Sequence, residues 1–217
     1  MNGETRGRSG ATQARGRARR QALLAAAREL LEQEMLNDIV LPDVAARAGI
    51  PKGSAYYFYP DIHALLAELA ALHDEELNAL LVQPLPPAES WQAVIAALIE
   101  RSADYFWANR SAQQLMFGPH TPPDIKRTSR TADFTHAAVF EAQVDRQFVL
   151  PQFPDRDRIF FRAVEAVDLM FGLSLLEYDA LERHMVGEAH RMACAYLGGY
   201  IPATLPRRPD ASQGDHP

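Results

Sequence analysis

Residues 51–59, PKGSAYYFY, gather one lysine, one serine and four aromatic rings into a span long enough for two turns of a helix. Lys52 and Ser54 carry donors of the kind that meet phosphate oxygens or base edges, and Pro51, Ala55 and the tyrosine rings offer apolar contact to thymine methyls. Helical spacing cannot turn Tyr56, Tyr57, Phe58 and Tyr59 all inward, so part of this set faces solvent or a partner. The plainer uses are a packed aromatic core and a solvated lysine. The segment lacks Arg, Asn and Gln, the side chains that grip base edges with two hydrogen bonds, so its readout alone is modest.

Other chemistry finds little footing. A helical carboxylate metalloenzyme needs two Glu-x-x-His motifs, and the chain has none. Asp133 and His136 have that spacing once, which is usual for surface polarity, and His184 and Glu188, one turn apart, suit a structural ion pair. There is no Gly-x-Ser-x-Gly, no phosphate-cradling glycine loop and no dinucleotide fingerprint. An enzyme is not expected, nor a metal or cofactor. The single cysteine, Cys194, cannot close an internal disulfide, and a reducing compartment follows. No run approaches the roughly 20 apolar residues of a membrane span, and no apolar stretch follows the arginines to make a signal peptide. These features imply a cytoplasmic protein with no membrane partner.

The elements that would position PKGSAYYFY are helical. RRQALLAAARELLEQ sets Leu23, Leu24, Ala27, Leu30 and Leu31 on one stripe. PDVAARAG is a short second helix ended by Gly49, Pro51 can open the third, and Asp61 is placed to cap a fourth helix running to about Val82. After the break QPLPPAES, helices are expected over Trp91–Asn109, 124–148, 156–181 and 184–200. Nothing alternates with period two. The fold class is all-α with about nine helices. Residues 1–16 read as a disordered basic tail, 17–66 as a small head continued by the fourth helix, 84–202 as a larger body and 203–217 as a disordered tail.

The net charge of −6 argues against a nucleic-acid partner, but its distribution is compatible with one, and equally with a charged, solvated tail. Residues 1–62 carry nine Arg/Lys against seven Asp/Glu, and the remainder thirteen against twenty-one. A basic end on an acidic body fits one end meeting phosphate. Three short helices with a Gly-containing turn before the third fit a helix-turn-helix, whose last helix enters the DNA major groove.

Residues 19–66 resemble the N-terminal domain of the TetR family of one-component bacterial transcriptional regulators. The resemblance is carried by Ala26-Ala27, Asp43-Val44-Ala45, Ala48-Gly49-Ile50, Lys52-Gly53-Ser54, Tyr56, Tyr59 and Leu65-Leu66. It implies a ligand-responsive repressor that binds double-stranded DNA at a palindrome as a homodimer. Pro51, Lys52, Gly53, Ser54, Tyr56, Tyr57 and Phe58 would lie at the DNA, and Tyr59 would pack inward. Four features depart from the family pattern: Val40 replaces a capping Thr, Ile62 a Lys and Phe58 a phosphate-contacting His, and MLND stands where a Gly usually follows the first helix. Fewer phosphate contacts mean a flatter salt dependence of binding. These apolar replacements also support the alternative, a helical protein-interaction module.

For the body the resemblance implies an effector pocket and a two-fold interface. Phe106, Trp107, Met116, Phe117, Phe134, Phe140, Met170 and Phe171, with His136 as a polar group, are candidates to line a pocket for a small, apolar or aromatic effector. Tyr105, Arg110, His120 and Glu165 are further polar candidates. Val167, Leu175, Leu176, Tyr196 and Tyr200 are candidates for the dimer interface.

Overall fold

The computed structural model describes residues 4–209. Those residues form nine α-helices: α1 Glu4–Leu31, α2 Leu41–Arg47, α3 Lys52–Phe58, α4 Ile62–Leu81, α5 Trp91–Ala108, α6 Arg110–Met116, α7 Pro123–Gln147, α8 Arg156–Tyr178 and α9 Arg183–Leu197. A 3₁₀ turn, Leu36–Asp38, joins α1 to α2.

Two apolar cores divide the molecule. The head core joins Leu23, Ala27 and Leu31 of α1 to Val44 and Ala45 of α2, Ala55 of α3 and Leu65 and Leu69 of α4. Leu23, Leu31 and Leu65 are fully enclosed, and each such side chain contributes about 1.5–3 kcal/mol of burial. The body core is built around α5. Its Trp91, Val94, Ile95, Leu98, Ile99, Ala103 and Phe106 follow helical periodicity and are almost wholly removed from solvent. The stripe is wide enough to meet α4, α7 and α9 at once.

The turn between α2 and α3 is a Schellman stop. Ile50 N–H donates to Ala45 O at 2.9 Å and Gly49 N–H to Ala46 O at 3.1 Å, with Gly49 at φ +65°. No atom would touch a Cβ added at Gly49, so substitution there costs only backbone strain. Gly49→Ala is expected to lower stability by about 1–2 kcal/mol, read as a shift in urea midpoint. Asp61 caps α4 as the sequence suggests, accepting from Ala64 N–H at 2.8 Å. At α2, Val40 has no side-chain acceptor to offer, but its own N–H still donates to Asp43 Oδ2 at 3.4 Å, so half of a capping box survives.

Three expectations change. Residues 4–16 are not an irregular tail but the first turns of α1; residues 1–3 lie outside the described residues. No proline interrupts this stretch, and extending a helix already nucleated on Leu23–Leu31 is cheap. The stretch 203–209 is also held. Trp91 Nε1 donates to Pro202 O at 2.9 Å, Val149 N–H to Pro206 O at 2.8 Å and Arg208 Nη2 to Asp145 Oδ1 at 2.7 Å, while Leu205 is buried. The rest of that expected tail, 210–217, lies outside the described residues. The third change is α6, a helix that the sequence pattern does not predict.

Candidate nucleic-acid interface, junction and cavity

The outward face of α3 is Lys52, Gly53, Tyr56 and Tyr57, with Pro51 exposed just before it. Tyr57 is 84% exposed and Tyr56 45%, both costly for large rings unless something covers them. Lys52 Nζ stands 6.0 Å from the Tyr56 ring centre, the pairing expected of residues four apart. Ser54 is half-buried. Phe58 is half-buried against the head core and meets Tyr57 edge-to-face at 5.4 Å, so it shows only one edge beside the exposed tyrosines. Tyr59 is inside at 2% exposure, beneath the Arg20 guanidinium.

The positive charge beside this face is narrower than its sequence count. Arg20 is bound by Glu68, Arg28 by Glu76 at 2.7 Å and Arg47 by Glu29 at 2.9 Å. Arg17, Arg19 and Lys52 remain exposed. The first half of α1 runs alongside α3: a Cβ at Gly16 would lie 4.0 Å from the Phe58 ring. Basic residues are therefore carried on a helix next to the exposed tyrosines.

Behind this surface, α6 ties head to body. Its first two amides, Arg110 N–H and Ser111 N–H, donate to the two oxygens of Glu32 at 3.0 and 2.9 Å. Gln114 Oε1 accepts from Leu36 N–H at 2.8 Å, and Gln114 Nε2 donates to Leu31 O at 2.7 Å and Glu34 O at 2.8 Å, which satisfies the end of α1. Leu115 enters the head core with Ile125 of α7. A second tie runs through a polar chain that is buried at His73 and partly exposed at Arg28 and Glu76. Arg28 and Tyr105 both donate to Glu76, at 2.7 and 2.9 Å, while His73 sits between Tyr105 Oη at 2.6 Å and Ser111 Oγ at 3.1 Å. His73 is fully buried; burial, then the Arg28 charge, lower its pKa to about 4. Burial works against Glu76, but hydrogen bonds from Arg28 and Tyr105 hold its carboxyl below the ordinary range.

The other end of α6 reaches a cavity of about 790 Å³ between α6, α7 and α8. Of the expected pocket residues, Met116 and Phe117 line it, as does Glu165. The others lie elsewhere. Phe106 and Phe171 are core residues, with ring centres 4.8 and 5.6 Å from Phe117. Phe140 is buried in the same core, and Met170 packs against it. Trp107 donates to Leu181 O at 2.7 Å under the Arg183 guanidinium. Phe134 is half exposed and stacks on Phe161 at 3.8 Å. His136 is buried beside Asp133 at 3.7 Å.

The remaining lining differs from what the sequence suggests. It includes Lys126, Arg130 and Asp133 on α7 and Asp168, Leu169, Leu173 and Leu176 on α8. A signal for it exists: 126, 130 and 133 share one helical face, as do 165, 168, 169, 172, 173 and 176. A face mixing leucines with acids resembles neither a plain core nor a plain surface. Arg110 and His120 instead border a crevice of about 40 Å³ between head and body, room for about one water.

Two dimer candidates are also relocated. Val167 and Leu175 are 4% and 6% exposed within the single chain, because they face α8's own core. Leu176, at 64%, and Tyr200 keep exposed surface, and Tyr196 is half-buried beside Tyr200. Glu188 pairs with Arg191 rather than His184, whose ring meets Tyr178 at 5.2 Å.

The family model described as bacterial regulatory proteins, tetR family, matches residues 23–69. A second, described as tetracyclin repressor-like, C-terminal domain, matches residues 89–199, just over half of the chain. Together they cover the head and the body in the order the fold presents them, and the chain belongs to the TetR family of DNA-binding transcriptional regulators. A TetR-family regulator from Streptomyces coelicolor is similar in fold, at 20% identity and TM-score 0.66, over 84% of this chain and 99% of that one. A TetR regulator from Rhodococcus sp. RHA1 gives 20% and 0.58 over 83% and 96%. Thermus thermophilus FadR, a repressor in complex with lauroyl-CoA, gives 19% and 0.57 over 90% and 100%. No curated protein sequence matches the chain. Among the described residues no helix is long and apolar enough to cross a membrane, and no group of side chains is arranged to hold a metal ion.

Proposed function

We propose that this chain is a cytoplasmic, homodimeric repressor that binds a palindromic operator and releases it when a small molecule enters the body; it is not an enzyme. The observation that carries this reading is the outward face of α3, with Lys52, Tyr56 and Tyr57 exposed beside the basic first half of α1. Apart from its edge contact with Phe58, the Tyr57 ring is left in solvent, whereas thymine contact would cover it on DNA.

Two features support the switch. The cavity reaches α6 at Met116 and Phe117, and α6 holds α1 through Glu32 and Gln114. A ligand that favours one position of α6 therefore biases the head, and by linkage DNA biases the ligand equally. FadR's complex with lauroyl-CoA is the precedent for a small-molecule partner on this fold. Leu176, Tyr178, Met192 and Tyr200 supply exposed apolar surface on α8, on α9 and just beyond it for a second copy. The effector is unknown; the lining asks for an apolar or aromatic part together with a charge.

Capture and sequencing of genomic DNA fragments by the purified protein tests the reading. The expected result is one enriched inverted repeat carrying two chains per site. Enrichment of no sequence at low salt would reject it. It would favour the protein-interaction alternative, for which Val40, 48% exposed at the start of α2, is the supporting feature.

A further inference from the structure

We propose that the α6–α7–α8 cavity takes a cationic ligand, an organic ammonium or amidinium on an apolar frame, with its charge at Asp133, Glu165 and Asp168 and its frame on Phe117, Leu169 and Leu173. This deepens the reading of the body as an effector site and rests on it.

The cavity, at about 790 Å³, falls among those that hold drug-sized ligands, and its two kinds of charge lie at different depths. Asp133 is 5% exposed and the Glu165 side chain 24%, whereas the Arg130 side chain is 72% exposed and Lys126 and Arg127 lie on the open rim. Charge at depth acts through a lower dielectric than charge at the rim, where water and salt screen it. The floor therefore decides which ligand charge is favoured.

The floor is short of positive charge. The charged and titratable groups that meet there are Asp74 from α4, Arg130, Asp133 and His136 from α7, and Glu165 and Asp168 from α8. Arg130 reaches Glu165 only at 3.4 Å, and His136 reaches Asp133 only at 3.7 Å. Glu165 Oε1 is enclosed with no hydrogen-bond partner among the described residues. Burial, then the Asp133 and Glu165 charges, push the Asp168 carboxyl well above its usual range, and burial raises Glu165. A ligand with a positive charge supplies counter-charge to these carboxyls from the cavity side. An anion would meet these carboxyls instead.

Tetraphenylphosphonium and tetraphenylborate have one shape and opposite charge, which makes them the probes of choice. In calorimetric titration of the full chain without DNA, the phosphonium is expected to bind at least about tenfold more tightly than the borate. Glu165→Gln/Asp168→Asn should lose that preference, and Glu188→Gln, an exposed carboxylate on α9 outside the cavity, should leave phosphonium binding unchanged. Glu165→Gln alone serves if the double variant melts early. Equal binding, tighter borate binding, no binding of either ion, or a preference unmoved by the carboxyl variants would overturn the proposal. Operator release is measured separately. Phosphonium binding without release would leave the cation site standing and remove the ligand-responsive reading; release by the borate would do the reverse.

Discussion

Replacing Lys52 and Tyr56 together with alanine should lower affinity for the captured operator by about 100-fold or more, because one charge-bearing donor and one ring leave each of two half-sites. The two side chains are exposed, so thermal stability should hardly change, and that distinguishes a damaged DNA face from a damaged fold. Fluorescence anisotropy against salt tells the two roles apart. Lys52→Ala should flatten the log–log salt slope if Lys52 meets phosphate, by about 0.9 per phosphate no longer neutralised. Tyr56→Ala should leave the slope alone and weaken binding at every salt concentration. A double variant that binds like the wild type would remove α3 as the reading element.

The second large effect is acid loss of the head–body junction through His73. Its pKa is lowered from 6.5 to about 4, so the native chain keeps the ring neutral where the unfolded chain protonates it. Its contribution is therefore whole above about pH 6.5, is lost as pH falls toward 4, and falls no further once the native ring also protonates. The loss over that window is about 3 kcal/mol. Glu76 and Glu68, whose carboxyls are lowered, lose stability at still lower pH, whereas Asp168 and Glu165, whose carboxyls are raised, act in the opposite sense. The difference between wild type and His73→Gln in urea unfolding at pH 7.5 and 4.5 isolates His73. A difference that does not change with pH would contradict the buried, neutral ring.

The head is legible in the sequence almost residue by residue, for physical reasons. Its second and third helices are short and bounded by a positive-φ glycine at 49 and a capping aspartate at 61, and Leu23, Leu24, Ala27, Leu30 and Leu31 face a single core. The body resists at three points. Helix α6 has only seven residues and buries Ser111, Gln113 and Gln114, so it shows no apolar period to detect. Aromatic rings are poor markers of the pocket: Phe106, Phe171 and Phe140 fill the core, and the cavity is lined by charges that in sequence look like a solvated face. Helix α8 carries two apolar stripes. Val164, Val167, Phe171 and Leu175 meet its own chain, while Leu169, Leu173 and Leu176 do not enter that core. Periodicity alone cannot say which stripe faces inward, and for that reason Val167 and Leu175 look free to meet a partner until the fold is known.

The α1 extension differs in kind. Its residues 4–16 have few apolar side chains to signal helix, yet the chain continues a packed helix there and carries Arg17 and Arg19 past Phe58. A rigid basic flank offers phosphate contacts at a lower ordering cost than a flexible arm.

The most direct measurement is a hydroxyl-radical footprint of the wild-type protein on the captured site. The expected footprint is two equal protected patches related by a dyad, their centres about one helical turn, 34–36 Å, or a whole multiple of it apart, and absent together in the Lys52→Ala/Tyr56→Ala variant. A single unsymmetrical patch, or protection that survives in the variant, would contradict paired reading of DNA by α3.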